Sequence, residues 1–292
     1  MIFLLAILLI IVAVFAASLL AIHLGFRAPR RVERGSPEDY DIAYEEAWIP
    51  SVAGKQLFSW WLPVAGSDSS IIILHGWGGN AELMLPLVTP LHRAGLNVLL
   101  LDARNHGRSD SAGFSSMPRF AEDADAAIEW LKIHKKESVA SLALLGHSVG
   151  AAAMLLVASR RNDICAVVSI AAFAHPDPMM RSYLDRFWIP EIIKSWVLRY
   201  VEWVIGHRFN DIAPMNRLRY VQCPVLLVHG TADKTVPVAD VYLIRENGKD
   251  KTPELLLIEG GGHESIGKIK RHAKELIAFL GSIMPLHGSS DE

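Results

Sequence analysis

The chain has 292 residues, with 29 Lys and Arg against 31 Asp and Glu for a formal net charge of −2, so no basic surface points to a nucleic-acid partner. That length, with 51% hydrophobic residues, suffices for a substantial core as one large α/β domain or two small ones. The two cysteines, Cys165 and Cys223, stand beside apolar runs and fit buried thiols better than a disulfide framework or a metal site; a bridge across neighbouring strands stays open.

From Met1 to Ile22 the sequence "MIFLLAILLIIVAVFAASLLAI" carries no charge. As a helix it extends about 33 Å, against a hydrocarbon core of about 30 Å, so residues 1–24 are expected to be an uncleaved transmembrane anchor contacting the lipid bilayer. A signal peptide cleaved near Val14-Phe15-Ala16 is the alternative; no Lys or Arg precedes the run, and the run exceeds a usual signal core. Arg27, Arg30, Arg31 and Arg34 follow, opposed only by Glu33. The excess of positive charge predicts a single-pass protein with its domain in the cytoplasm, or an exported domain if the segment is removed. Residues 25–41, "RAPRRVERGSPEDYD" in their greater part, read as a juxtamembrane linker.

Beyond it, apolar strand-like runs at 57–64, 70–76, 97–103, 139–146, 166–173, 224–230 and 254–260 alternate with helical candidates at 80–94, 118–136, 148–161, 237–247 and 264–283. Continuous apolar strands separated by helices predict a mostly parallel sheet covered on both faces, an α/β domain over 42–285. The tail 286–292 is expected to fray. About fifty residues separate the strands near 173 and 224, far more than a crossover needs. Within this insertion, about 176–215, Ile192, Trp196, Tyr200, Trp203 and Val204 share one helical face. A short helical lid over a site at the strand ends is expected; packing on the core and a second membrane contact are the alternatives.

"LALLGHSVGAAAMLL" at 142–156 places Gly146-His147-Ser148-Val149-Gly150 between a strand and a helix. A G-x-S-x-G sequence in that context is a nucleophile elbow, with Ser148 held out at a tight turn and the glycines removing Cβ atoms that would collide. A serine needs a base, and the base an orienting acid. "PVLLVHG" is followed by Asp233 and "ELLLIEG" by His263, each after a strand and in that order. Asp240 and Glu259 are weaker candidates for the acid, His229 reads as structural, and His147 as the variable residue of the elbow. The backbone N–H of Val149 and that of Trp77, in the loop "HGWGGN", are the candidate oxyanion donors. That loop lacks the Lys-Ser/Thr of a phosphate-binding motif.

The set "HGWGG" (75–79), "LDARNHGRSD" (101–110), "GHSVG" (146–150), "GTADKTVP" (230–237) and "GGGHE" (260–264) resembles α/β-hydrolase fold serine hydrolases, in the group of monoacylglycerol-lipase-like enzymes and esterases. Asn105 stands where that family usually has Gly, and Asp102 and Arg104 read as structural. The resemblance implies a Ser148-His263-Asp233 triad, no metal and no organic cofactor. It implies an ester hydrolase acting through an acyl-enzyme on a small-molecule acyl substrate, hydrophobic or lipid-derived. A peptidase or amidase, a thioesterase, an acyltransferase and a non-catalytic membrane-tethered binding protein are the alternatives.

Overall fold

The computed structural model describes residues 2–25, 27–248 and 252–286; of the tail expected at 286–292, residues 287–292 lie outside the described residues. Eight strands form one sheet: β1 (Glu45–Pro50), β2 (Gln56–Leu62), β3 (Ser69–Leu74), β4 (Asn97–Leu101), β5 (Ser141–His147), β6 (Ala166–Ile170), β7 (Val225–Gly230) and β8 (Glu254–Ile258). Their spatial order is β1-β2-β4-β3-β5-β6-β7-β8. Among the described residues β1–β2 and β2–β4 pair antiparallel and the other pairs are parallel, as the uninterrupted apolar runs predict. The seven expected strands are all present, each within a few residues of its expected bounds. β1 was not expected: as an edge strand it buries only Ile49 fully and leaves Trp48 exposed, so it shows no apolar run.

The helices are α1 (Ile2–Gly25), α2 (Leu85–Arg93), α3 (Met117–His134), α4 (Val149–Ala158), α5 (Pro176–Asp185), α6 (Glu191–Ile205), α7 (Phe209–Ile212), α8 (Pro214–Arg217), α9 (Ala239–Glu246), α10 (Ile266–Lys270) and α11 (Ala273–Gly281). Because side chains alternate along a strand, Ile72, Leu74, Leu142 and Leu144 face one core with α3 and α4. Ile71, Ile73, Ala143 and Leu145 face the other, with α2 and α11. The helix expected over 264–283 is split into α10 and α11 by a turn at Arg271 and His272. Cys223 packs against the first core and Cys165 against the second, so the two do not form the bridge left open by their neighbouring strands.

The insertion is helical, but its apolar face points outward. Ile192 is 80% exposed and Trp203 75%, while Leu198 and Val201 face the core. Lys194, on that inward side, buries its stem and pairs its ammonium with Asp185 and Glu191.

α1 is one helix of 24 residues whose described side chains are mostly exposed. Side chains at 11, 14 and 15 lie outside the described residues, and no helix among the described residues is long and apolar enough to cross a membrane. The transmembrane span expected at 1–24 is therefore not established by the fold. Its C-terminal end does have a defined seat. Ile22 and His23 meet Phe114, Tyr200, Val201 and Val204, and His23 Nε2 is hydrogen-bonded to the Tyr200 hydroxyl at 2.8 Å. The stretch 25–41, expected as a linker, lies along the domain. Ser36 caps a short 3₁₀ turn over Pro37–Tyr40, and its own N–H donates to the Asp39 carboxylate in a capping box.

Candidate active site

β5 runs directly into α4, and the one residue between them, Ser148, has φ 54° and ψ −119°. Residues with a Cβ rarely adopt that backbone, so the turn stores strain that its surroundings must hold. One tie is the Ser148 N–H, which donates to the Ile170 carbonyl on β6 at 2.8 Å. Sterics supply the rest. A Cβ on Gly146 would lie 2.4 Å from the Gly150 carbonyl oxygen, and one on Gly150 2.3 Å from that of His75. Both glycines of the elbow are thus required by backbone that cannot move.

The chain brings the three predicted side chains together at the C-terminal edge of the sheet. His263 Nε2 lies 2.9 Å from Ser148 Oγ, and His263 Nδ1 lies 2.7 Å from Asp233 Oδ2. The other Asp233 oxygen accepts the N–H groups of Thr235 (2.8 Å) and Val236 (2.9 Å), which fixes the carboxylate. Burial by itself would push the Asp233 pKa up, but the hydrogen bonds from His263, Val236 and Thr235 outweigh it and hold the group below the usual carboxylate value. An ionised Asp233 puts the proton on His263 Nδ1 and leaves Nε2 free to accept one from Ser148. Asp240, the weaker candidate, is used elsewhere: it accepts the Ala174 N–H at 2.8 Å. His229 Nε2 faces the Val236 carbonyl at 3.0 Å, a structural position as expected.

The loop after β3 sits against the elbow, since a Cβ on Gly76 would lie 3.1 Å from Ser148 Cβ. His75 explains its shape. Ala103 N–H donates to His75 Nε2 (3.1 Å), so His75 Nδ1 carries the proton and donates to the Gly76 carbonyl (2.7 Å). Burial, then the neighbouring His106, lower the His75 pKa well below its ordinary value and keep this tautomer neutral. With the Gly76 carbonyl turned inward, the trans peptide turns the Trp77 N–H the opposite way. Val149 is the first residue of α4, where an N–H has no partner within the helix.

Two residues have more to do than their sequence context suggested. His147 is buried, and its Nε2 lies 2.9 Å from the His263 carbonyl oxygen, so it holds the loop that carries the base. Its ring centroid is 5.1 Å from that of His263. Burial and then the His263 charge lower its pKa, so it donates from a neutral ring. Nothing in the pattern G-x-S-x-G distinguishes such a residue from a spacer. His75, at the end of a buried strand, is equally silent in sequence.

The stretch 101–110 is a folded wall, in keeping with the structural reading of Asp102 and Arg104. Asp102 accepts the N–H groups of Ala81 (2.8 Å) and Arg108 (2.9 Å), and a Cβ on Gly107 would lie 1.8 Å from its carboxylate. Arg104 pairs with buried Asp123 at 2.8 Å. Asn105 has φ 69°, a left-handed backbone that Gly takes freely and Asn tolerates best among the rest, which accounts for the replacement. A cavity of about 440 Å³ beneath the insertion is lined by Ala174, Phe209 and Leu243 and by the acidic residues Asp177, Glu202 and Asp240, among others.

Known proteins place the chain in a family. Residues 66–219 match the family described as serine aminopeptidase, S33 (Hydrolase_4), a span that holds Ser148 and the loop at 75–79 but ends before Asp233 and His263. The uncharacterized protein Rv2307c of Mycobacterium tuberculosis is 28% identical over 195 residues, covering 63% of this chain and only 60% of that relative's length. The uncharacterized protein YfhR of Salmonella typhimurium is 24% identical over 263 residues, 87% of this chain and 85% of the relative. Among solved structures, the Pyrococcus furiosus esterase Pf2001 superposes with a TM-score of 0.69 at 26% identity, over 88% of this chain and 95% of that one. The sheet order, the elbow and a family match over more than half of the chain agree, and the chain belongs to the serine aminopeptidase S33 family of α/β hydrolases.

Proposed function

We propose that the protein is a serine hydrolase that cleaves carboxylic esters through an acyl-enzyme, with Ser148 as nucleophile, His263 as base and Asp233 as the orienting acid. The observation that carries this is the continuous relay from Ser148 Oγ through His263 to Asp233, with spacings of 2.9 and 2.7 Å. His263 Nε2 takes the Ser148 proton as Oγ bonds to the acyl carbon. The N–H groups of Trp77 and Val149 face the developing oxyanion. As the tetrahedral adduct collapses, the carbon–oxygen bond to the leaving group breaks and His263 returns its proton to that oxygen. Water, deprotonated by the same imidazole, then releases the acid and restores Ser148.

Ser148→Ala is expected to remove hydrolysis of a p-nitrophenyl short-chain ester while leaving the fold intact; retained turnover would take Ser148 out of the chemistry. The family description names an aminopeptidase, so an aminoacyl p-nitroanilide belongs in the same assay. The ester is expected to give the higher kcat/KM, and preference for the anilide would make the enzyme a peptidase.

The second part of the proposal is a tether. The charge-free sequence Met1–Ile22 precedes Arg27, Arg30 and Arg31, and the outward aromatic face of α6 adjoins the seat of the C-terminal end of α1. These support a single-pass anchor with the domain on the cytoplasmic side, its substrates drawn from lipid. Retention of the full chain in the membrane pellet after alkaline carbonate is expected; quantitative release would refute it.

A further inference from the structure

We propose that residues 29–35 form a strap that holds the oxyanion loop, residues 76–82, in its reactive geometry, so that the segment after α1 belongs to the catalytic apparatus instead of merely tethering it. This rests on the assignment of Trp77 N–H as an oxyanion donor. Pro29, Arg31, Arg34 and Gly35 engage the loop in turn. Pro29 lies over Gly78, where a Cβ would be 2.9 Å from the proline ring. Gly78 has φ 67°, so it needs glycine both for its backbone and for the ring that covers it. The Asn80 amide donates to the Arg31 carbonyl at 3.2 Å, while its oxygen caps the next turn through Leu83 N–H. The Glu82 carboxylate then accepts the strap's N–H groups from Arg34 (2.8 Å) and Gly35 (3.2 Å), one on each oxygen.

Between these ties, Glu33 buries both carboxylate oxygens beside Asp102, the group that holds Ala81 N–H in the same loop. Burial, and next the Glu33 charge, push the Asp102 pKa up. Trp77 sits between a residue pinned by His75 and a residue pinned by Pro29. On the C-terminal side of Trp77, Gly78 and Gly79 supply no side chain that could fix the loop, and the strap takes that place. Strap residues are positioning residues: in these contacts they touch loop residues and not the reacting atoms.

An oxyanion donor acts only in the transition state, so a loosened strap lowers kcat and leaves KM nearly unchanged. Removing one donor outright costs about 10²–10³ in rate, and a misplacement of about 1 Å can cost about 10², so a loss of about tenfold to a hundredfold is expected. The test uses the full chain in detergent or nanodiscs, with Glu82→Ala, Glu82→Gln and Pro29→Gly followed by kcat, KM and inhibition by phenylboronic acid, which forms a tetrahedral adduct on Ser148. Glu82→Ala is expected to lower kcat about tenfold or more, shift KM less than twofold, and weaken boronate binding by the same factor as kcat. Glu82→Gln keeps one acceptor oxygen and recovers most of the loss. Should Glu82→Ala fail to fold, Pro29→Gly removes only the ring over Gly78 and carries the same expectation. Folded variants with wild-type kcat, or with KM alone affected, overturn the strap. Ser148→Ala run in parallel separates the causes: if it retains turnover, the serine-hydrolase proposal has failed and not only the strap.

Discussion

The strain at Ser148 can be measured without reference to activity, by comparing Ser148→Gly with Ser148→Ala. Both variants lose the hydrogen bond to His263 Nε2, so that contribution cancels. They differ in the Cβ that must occupy a backbone of φ 54° and ψ −119°. Holding an L-residue there costs on the order of 1–3 kcal/mol. Glycine relieves that strain but loses more backbone entropy on folding, by roughly 0.5–1 kcal/mol. The difference favours Ser148→Gly over Ser148→Ala by about 0–2.5 kcal/mol, up to several degrees in Tm for a domain of this size. Equilibrium denaturation of the two inactive variants in one detergent would read it directly. If Ser148→Ala proves the more stable, the elbow is not strained, and its geometry must be held by the flanking glycines alone.

Other outcomes follow from the same geometry. Asp233→Asn should keep the fold but lower kcat on the order of 10³–10⁴, because the imidazole loses the partner that fixes its tautomer; a loss below about tenfold would remove Asp233 from the relay. Three buried histidines set an acid limit on stability. His75 and His147 are held below their ordinary value and His106 is lowered to about 4, in each case chiefly by burial. Below pH 6.5 the unfolded chain binds protons that the folded one refuses, so stability is full above that pH and falls as pH drops toward 4. The slope is about 1.4 kcal/mol per pH unit for each histidine. Denaturation midpoints between pH 7 and 5 should therefore fall, and His106→Gln should shallow the decline; a flat profile would show that these rings titrate normally. Finally, if the outward face of α6 meets lipid, tryptophan emission of the full chain in brominated-lipid nanodiscs should be quenched, and a Trp196→Ser/Trp203→Ser double variant should lose part of that quenching. Equal quenching would leave this face in water.

What the sequence by itself determined is the part of the molecule that repeats locally. Runs such as Ile71–Leu74 and Leu142–Leu145 read as strands buried on both faces, and the loops that follow such strands carry the elbow, Asp233 and His263. The elbow glycines were legible because their constraint lies within a few residues of Ser148. The Asn105 position was legible as a departure and became intelligible through its φ of 69°. What only the tertiary structure decided depends on contacts distant along the chain. Glu82 meets the Arg34 and Gly35 N–H groups across 48 and 47 positions, and His147 meets the His263 carbonyl across 116. Backbone donors and acceptors of this kind leave no trace in residue type. The α6 face followed the same logic: helical spacing put Ile192, Trp196 and Trp203 together, but an amphipathic pattern does not say which side is covered. The packing of Leu198 and Val201 and the ion pairing of Lys194 turned that face outward, next to the seat of α1.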